Sequence, residues 1–346
     1  MGPMIELPDE SPETLLAEFE ARGWGDGLPL VAPTDERVEA MLAGTDPDEV
    51  IAVLPPRSGR ADRRAIATNA VLAGCTPAVF PVVVAAVRAL AQPEVNLRGV
   101  NATTHPVAPL VIVHGRVAET AGFNSGLGAF GPGNRANAAA GRAVRLVLLH
   151  VAGALPGPGD ASTQGQPSKY TYCVAENEAA SPWGPYPPGA DAPAGAVTVH
   201  CGENPHNFHD MESDGPERIL GKAASLMTTF GANNACIAQG EFFVLLCPEH
   251  AHTVAAAGMS RADTAQWLFD HARRPAGEYR AHFDLRAWTV EMEAAADDEP
   301  LAPTADPANI KVLVVGGAGK HSCVIPSWGM TTSVTVALDQ PAGARP

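Results

Sequence analysis

The run Pro109-Leu-Val-Ile-Val113, which ends in His114-Gly115, decides the class of fold. An unbroken apolar run rich in β-branched residues is typical of a strand buried on both faces. Similar runs occupy residues 196–200, 242–246 and 310–315. Helical patterns with capping residues lie before and between these runs, at residues 63–73, 134–151, 216–230 and 260–273. The alternation predicts an α/β or α+β fold in which helices flank a mixed sheet.

Length and composition predict the domain organisation. A chain of 346 residues usually exceeds what one core supports, so we expect two lobes. The 34 glycines and 32 prolines predict many tight turns and a loop-rich protein. Residues 156–195 combine these turn residues with aromatic side chains, which favours an ordered covering loop over a flexible linker. We therefore expect an N-terminal helical and α/β lobe at residues 1–155 and a C-terminal α/β lobe at residues 196–346.

The charge of the chain argues against one class of function. Lys and Arg number 23 against 38 Asp and Glu, a net charge of -15, whereas binding to nucleic acid depends on clustered cations. No apolar run reaches the roughly 18–20 residues that cross a bilayer. The first residues lack the basic flank and apolar stretch of a secretory signal, and the six cysteines are too scattered for a disulfide scaffold. A cytoplasmic location is therefore expected.

Cys75 is the strongest single candidate for covalent chemistry. It lies between a predicted helix that ends at Gly74 and a second helix that Thr76-Pro77 is expected to open. A thiol just before a helix N-terminus can have a lowered pKa and react as a thiolate. The alternative is a cysteine packed between two helices, as free cysteines commonly are.

A glycine-rich stretch at residues 122–133 leads into a predicted helix that Asn134 caps. The glycines allow a ligand to approach the backbone, the helix start offers free N–H groups, and Arg135 can bind a carboxylate or a phosphate. Together with Asn137 and Arg142, which follow on the helix, these residues form a candidate substrate-binding site. The stretch lacks the spacing of nucleotide-binding motifs. The alternative is a structural turn before a helix with solvated arginines.

A second glycine-rich loop, residues 316–319, directly follows a predicted strand. Lys320 and Ser322 can bind an anion there, and His321 can transfer protons near neutral pH. The loop lacks the spacing of a phosphate-binding motif, so a purely structural turn is the alternative.

Glu176 is a candidate acid or base in the predicted covering loop. A carboxylate that the loop around Trp183 shields from water would have a raised pKa, and a plain strand followed by an acidic loop is the alternative. Ligands collect beyond the carboxyl ends of strands in open sheets, and polar residues follow each predicted strand. We therefore expect His321 to share a cavity with Cys75 or Glu176. Unrelated turns at opposite edges of an antiparallel sheet are the alternative.

His200, Cys201, His206 and His209 offer metal-binding atoms within a short stretch. Zinc or iron can use three such ligands and leave a position open for water or substrate. Pro205 interrupts any helix that would align them, so hydrogen-bonded histidines are the alternative. The sequence defines neither the metal nor a cofactor.

Three sets of motifs carry a resemblance to a known family. They are Asn69-Ala-Val-Leu-Ala-Gly-Cys75-Thr-Pro77, then Phe130-Gly-Pro-Gly-Asn-Arg-Ala-Asn137 with Gly141-Arg142-Ala143, and Ala175-Glu-Asn-Glu178 with Ser181-Pro-Trp183. In combination they resemble a bacterial family encoded near small proteins with a U-G-S-C selenocysteine motif. The resemblance spans residues 50–335 and implies thiol or selenol redox chemistry, or a heteromeric partner. The chain has no U-G-S-C motif, and its own cysteine follows Ala73-Gly74.

These observations favour an enzyme, a lyase or a hydrolase, that acts on a small anionic molecule. The expected chemistry is cleavage of a carbon–heteroatom bond, either thiol-dependent or by acid–base catalysis. Two other hypotheses are a non-catalytic subunit of a separate thiol or selenol redox enzyme, and a metal-dependent hydrolase. The expected partners are a small-molecule substrate and either a second copy of the chain or a small redox protein, with neither nucleic acid nor a membrane.

Overall fold

The computed structural model describes residues 11–186, 194–237, 239–282 and 290–339, which form an α+β fold. The helices in these ranges are α1 (Pro12–Ala21), α2 (Asp35–Leu42), α3 (Arg63–Leu72), α4 (Phe80–Leu90), α5 (Leu97–Ala102), α6 (Arg116–Thr120), α7 (Arg135–Val147), α8 (Pro216–Met227), α9 (Asn233–Ile237), α10 (Pro248–Ala256), α11 (Arg261–His271), α12 (Ala276–His282) and α13 (Val290–Ala294). Within the described ranges, no helix combines the length and apolar character that a bilayer span requires.

The strands form two large sheets and two short two-stranded sheets. They are β1 (Val50–Leu54), β2 (Gly59–Asp62), β3 (Ala108–His114), β4 (Cys173–Ala175), β5 (Ala196–Gly202), β6 (His206–His209), β7 (Phe242–Leu246), β8 (Arg274–Pro275), β9 (Pro300–Leu301), β10 (Ile310–Val314), β11 (His321–Pro326) and β12 (Val334–Ala337). The four apolar runs of the sequence are β3, β5, β7 and β10, which confirms their prediction as strands.

Both large sheets are mixed. The first sheet has the order β12-β5-β3-β4, in which β3 and β4 are parallel and the other pairs are antiparallel. The second sheet has the order β10-β7-β11-β6, in which only the β10–β7 pair is parallel. The remaining strands form two short antiparallel pairs, the hairpin β1–β2 and the pair β8–β9, whose strands are separated by α12 and α13.

The two large sheets pack face to face, with helices on their outer sides. Leu110 of β3 joins Phe243 and Leu245 of β7 in one apolar cluster, which we call the interlayer. Val111 and Val113 alternate with Leu110 and so face the helices instead. Helices α4 and α7 cover the first sheet, with α3 packed against both of them, and α8, α10 and α11 cover the second. The result is four layers, in the order helix, sheet, sheet, helix.

The sheets do not follow the predicted lobe boundaries. Strands β5 and β12 belong to residues 196–346, yet they lie in the same sheet as β3 of residues 1–155. Strand β4, from the predicted covering loop at residues 156–195, completes that sheet. The antiparallel pairing of β3 with β5 joins the two halves of the chain, so the division between the sheets differs from the division expected along the sequence.

Strand direction separates the strand ends that were expected to meet. Cys247 and Gly316 follow the parallel strands β7 and β10, and so leave the second sheet at the same edge. Strand β4 ends at that edge too, because the N–H of Asn177 donates to the Val314 carbonyl at 2.8 Å. Strand β5 is antiparallel to β3, so His200 lies toward the opposite edge. The expectation that all three exits share one edge is therefore wrong for His200.

Candidate functional site

A cleft of about 680 Å³ opens beside α7. One wall is Gly25 with Asp26, from the loop between α1 and α2. The second wall is Arg145 of α7 with Leu149 just beyond it, and the third is the segment at residues 155–170. Three other cavities on the protein measure only about 200, 210 and 310 Å³. The volume of the cleft lies within the range of roughly 300–1,000 Å³ that is usual for small-molecule sites.

Two cations share one carboxylate in the wall of this cleft. Asp160 Oδ2 accepts from Arg145 Nη2 at 2.8 Å and from Lys169 Nζ at 2.7 Å. All three side chains are largely shielded from water. Asp160 Oδ1 also accepts from the N–H of Ser162 at 3.1 Å, which fixes the carboxylate. The group carries one more positive than negative charge, so it is built to attract an anion.

Burial and charge shift the acid–base behaviour of this group. Burial raises the pKa of the Asp160 carboxyl, but its bond to Lys169 and the charges of Lys169 and Arg145 outweigh this and lower the pKa overall. Burial lowers the pKa of the Lys169 amine, and the charge of Arg145 adds to that effect. The hydrogen bond to Asp160 and the charge of Asp160 raise the pKa of Lys169, but by less than burial and Arg145 lower it. The amine therefore releases its proton more readily than an exposed lysine does.

Arg142, one turn before Arg145 on α7, holds the opposite wall of the cleft in place. Its guanidinium donates to both oxygens of Asp26, at 2.7 and 2.8 Å. It also donates to the carbonyl oxygens of Leu28 at 3.0 Å and Pro29 at 2.9 Å. Arg142 was expected to bind substrate. Instead, the loop that forms the cleft wall occupies its donors, so Arg142 positions that wall.

Cys75 does not have the lowered pKa that the sequence suggested. Residues 77–79 form a turn, and α4 begins at Phe80 rather than at Thr76-Pro77. The thiol is buried in the helical layer, where burial raises its pKa to about 12 although the charge of Arg135 opposes this. The prediction of an activated thiolate is therefore wrong, because a helix dipole acts only within its first turn and α4 begins too far along the chain.

We expect Cys75 to resist alkylation in the folded protein. A thiol with a pKa of about 12 exists as thiolate in roughly one molecule in ten thousand at pH 8, and burial limits access further. Iodoacetamide labelling followed by peptide mass spectrometry, with and without urea, measures this directly. Cys75 is expected to react only after unfolding, and rapid labelling of the native thiol would contradict the assignment.

Asn134 and Arg135 line a cavity of about 210 Å³ at the candidate anion site of the glycine-rich loop, but their side chains also bond to the protein itself. Arg135 Nε and Nη2 donate to the Gly74 carbonyl at 3.1 and 3.0 Å. The Asn137 amide bonds to both backbone groups of Asn124 at 2.8 Å. Asn134 donates to carbonyl groups within the loop. Asn134 and Asn137 therefore hold the loop, and Arg135 connects the helix start to Gly74. The expected binding of substrate by these three side chains stays a prediction.

A second polar cluster lies within the interlayer. Glu176 Oε2 lies 3.0 Å from His114 Nδ1, and its Oε1 accepts from Arg261 Nη2 at 2.7 Å. The side chains of Glu176 and His114 are completely buried. The N–H of Tyr186 donates to Glu176 Oε2 at 3.0 Å, so the segment after Trp183 covers the carboxylate. Arg261 is the first residue of α11, which covers the second sheet. Its ion pair with Glu176 therefore connects the first sheet to a helix on the second. A catalytic role for Glu176 stays a prediction.

His114, Glu176 and Glu178 place metal-binding atoms within 4.8 Å of one another. Protein groups already use these atoms, because Arg261 binds Glu176 and the N–H of Gly115 donates to Glu178 Oε1 at 2.6 Å. A metal ion would also lie beside the Arg261 guanidinium. The donor set therefore suits an ion-pair network better than a metal site.

The four predicted metal ligands are not brought together. Neighbouring residues of a strand point to opposite faces, so His200 lies in the interlayer, with its ring centroid 4.4 Å from that of Phe243, while Cys201 faces the helices. His206 and His209 are exposed on β6. The hypothesis of one metal site from these residues is wrong for this geometric reason.

The residues after the second glycine-rich loop also have structural partners. Lys320 Nζ donates to a backbone carbonyl at 2.8 Å. His321 Nδ1 lies 3.1 Å from Asn207 Oδ1, and Ser322 Oγ lies 2.7 Å from His250 Nδ1. The bonds of Lys320 and Ser322, both expected to bind substrate, connect the loop to neighbouring elements.

The residues expected to share a cavity lie in different surroundings. His321 is exposed and packs against His209, with ring centroids 5.4 Å apart. Cys75 is buried in the helical layer, and Glu176 lies between the sheets. None of the four cavities described above is lined by any of these three residues. A site shared by His321 with Cys75 or Glu176 therefore stays a prediction.

The charged group of the cleft was missed from the sequence. Asp160 and Lys169 both lie in the predicted covering loop, and their spacing matches no motif. Arg145 lies on the same predicted helix as Arg142 but was not among the candidate site residues. The sequence contained one indication that Lys169 is unusual, because it is one of only four lysines in the chain.

Comparison with known proteins gave no relative, since no family model, curated protein or solved structure matches the chain. The site is therefore interpreted from its own geometry.

Proposed function

We propose that the protein is a cytoplasmic enzyme that binds a small anionic molecule in the cleft beside α7. The observation that carries this proposal is the convergence of Arg145 and Lys169 on Asp160 Oδ2. The surplus positive charge lies in a wall that is partly shielded from water, where salt screens its attraction for an anion less than at an exposed surface. The charge therefore supplies affinity for a carboxylate or phosphate group.

The rest of the cleft supports a ligand with an apolar body. Leu149, Leu155 and Pro156 line one part of it, and Ser162 with Thr163 offer hydroxyl groups nearby. Small-molecule sites typically combine an apolar lining with a few polar groups that fix orientation. Because the Cys75 thiol is buried and protonated, the proposed chemistry is acid–base catalysis at Lys169 and Asp160, with a carbon–heteroatom bond as its target.

We expect Arg145→Gln to weaken the binding of anions without unfolding the protein. The loss of one charge-assisted hydrogen bond lowers affinity by about tenfold or more. Asp160 keeps Lys169 as its partner in this variant, so no buried charge is left unpaired. Calorimetric titration with benzoate and with inorganic phosphate measures the change.

The matched control is Arg64→Gln. It removes the same charge from an exposed ion pair with Glu39, at 2.8 Å, and Arg64 does not line the cleft. The control is expected to bind as the unmodified protein does. Equal affinities for the two variants, or no saturable binding of either anion, would overturn the proposed function.

A further inference from the structure

The chain uses lysine sparingly, with four lysines against nineteen arginines. Arginine forms most of its ion pairs, including those of Arg142 with Asp26 and Arg145 with Asp160. Arginine would suit a purely electrostatic contact to Asp160 at least as well, because its planar guanidinium matches a carboxylate. Lysine differs in chemistry, since its amine can lose a proton and act as a nucleophile. Lys222 and Lys311 also pair with carboxylates, so what distinguishes Lys169 is that its amine lines the cleft.

The surroundings of Lys169 match those of a reactive amine. Its side chain lines the cleft and is only 13% exposed, so the amine is partly desolvated yet reachable by a ligand. Arg145 competes for the same Asp160 oxygen, so the amine shares its negative partner with a second cation. Burial and the nearby Arg145 both lower the pKa of the amine. Desolvation and a neighbouring cation are the two known ways of activating a lysine nucleophile.

We propose that Lys169 forms an imine with the carbonyl carbon of a small oxo acid whose carboxylate binds to Arg145. This inference rests on the proposed function, because it requires an anion in the cleft. In a 2-oxo acid, the carboxylate and the carbonyl carbon are adjacent, just as Arg145 and Lys169 are adjacent around Asp160. A ligand that meets Arg145 with its carboxylate therefore presents its carbonyl carbon to the Lys169 nitrogen.

The step is balanced without an oxidant or a reductant. The neutral Lys169 amine adds its electron pair to the carbonyl carbon and forms a carbon–nitrogen bond. Its two protons leave with the carbonyl oxygen as water, and a carbon–nitrogen double bond remains. Once protonated, the imine acidifies the carbon–hydrogen bond of the next carbon, and Asp160 takes that proton to leave an enamine. The enamine then expels a heteroatom group from the carbon beyond; this group leaves with its bonding electron pair and receives the proton from Asp160. Water then hydrolyses the imine and restores the lysine.

Reductive trapping with pyruvate tests the proposal. Sodium cyanoborohydride converts an imine into a stable secondary amine, and intact mass followed by peptide mapping locates the adduct. We expect one adduct per chain, at Lys169. Arg145→Gln is expected to lower the trapping yield at subsaturating pyruvate by about tenfold, because the carboxylate loses its charge-assisted hydrogen bond.

Two lysine variants separate the covalent role from the electrostatic one. Lys169→Arg keeps a cation beside Asp160 but has no nucleophilic amine, so it is expected to bind pyruvate in calorimetry and to give no adduct. Lys222→Arg is the matched control, because Lys222 pairs with Asp210 at 2.6 Å, an arginine keeps a cation beside that carboxylate, and Lys222 does not line the cleft. The control is expected to be trapped at Lys169 as the unmodified protein is.

The outcomes distinguish this inference from the function on which it rests. Saturable pyruvate binding without an adduct at Lys169 would overturn the imine and leave the anion-binding cleft intact. Equal adducts on all four lysines would also overturn it, since they would reflect ordinary surface reactivity. Absence of both pyruvate binding and trapping, together with no binding of benzoate or phosphate, would overturn the proposed function as well.

Discussion

Arg261→Met is expected to lower the free energy of unfolding by about 3–5 kcal/mol, the usual cost of breaking a buried ion pair from one side. The substitution leaves the Glu176 carboxylate completely buried, with His114 as its remaining ionisable partner. It also removes the contact through which α11 is tied to the first sheet. Urea unfolding followed by far-ultraviolet circular dichroism measures the loss as a shift in midpoint.

Two further variants test this explanation. Arg64→Met breaks an exposed ion pair with Glu39 and is expected to change the free energy of unfolding by no more than about 1 kcal/mol. The double variant Arg261→Met with Glu176→Gln is expected to recover part of the stability, because no uncompensated buried charge remains. If Arg261→Met were no less stable than Arg64→Met, the ion pair would not hold the layers together.

Local signals in the sequence were enough to predict many elements of the fold. Ser260 and Asp263 form the capping box expected at the start of α11. The four apolar runs could be predicted as strands because a continuous apolar pattern indicates burial on both faces, whichever strand pairs with it. Strand pairing and direction could not be predicted in the same way, since an apolar run has the same pattern in either direction. The antiparallel placement of β5 beside β3 therefore moved His200 away from the other strand ends.

The cleft depends on contacts that no local pattern encodes. Lys169 and Arg145 meet at Asp160 because the segment at residues 155–170 folds back against α7. Arg135 is a second example, in which the sequence suggested a contact with a ligand and the fold supplied a contact within the protein. Its guanidinium has the right chemistry for an anion, but the fold places the Gly74 carbonyl, 61 residues earlier in the chain, within its reach. Residue type predicted the chemistry that was possible, and tertiary structure selected the partner.

Asp26→Asn is expected to lower the free energy of unfolding by about 3 kcal/mol at pH 7, the lower end for a buried pair. Asp26 and Arg142 are both mostly buried, and the asparagine still accepts one hydrogen bond while losing the charge. Although burial raises the pKa of Asp26, Arg142 outweighs it and the pKa is lowered overall. The stabilising contribution is therefore complete above the unfolded pKa of about 3.9 and is lost as the pH falls through the folded pKa.

The pH dependence separates a loss of the ion pair from a general defect. The stability difference between Asp26→Asn and the unmodified protein is expected to be largest near neutral pH and to shrink as the pH falls below about 4, because the unfolded chain takes up a proton at Asp26 before the folded protein does. Below the folded pKa, Asp26 is neutral in both states and the contribution of its charge is gone. Asp298→Asn, at an exposed carboxylate, is the matched control and is expected to change little at any pH. Asp26 also forms a wall of the cleft, so loosening its loop is expected to weaken benzoate binding in the same variant. A stability difference that stayed constant down to acidic pH would show that Asp26 contributes through packing and not through its charge on Arg142.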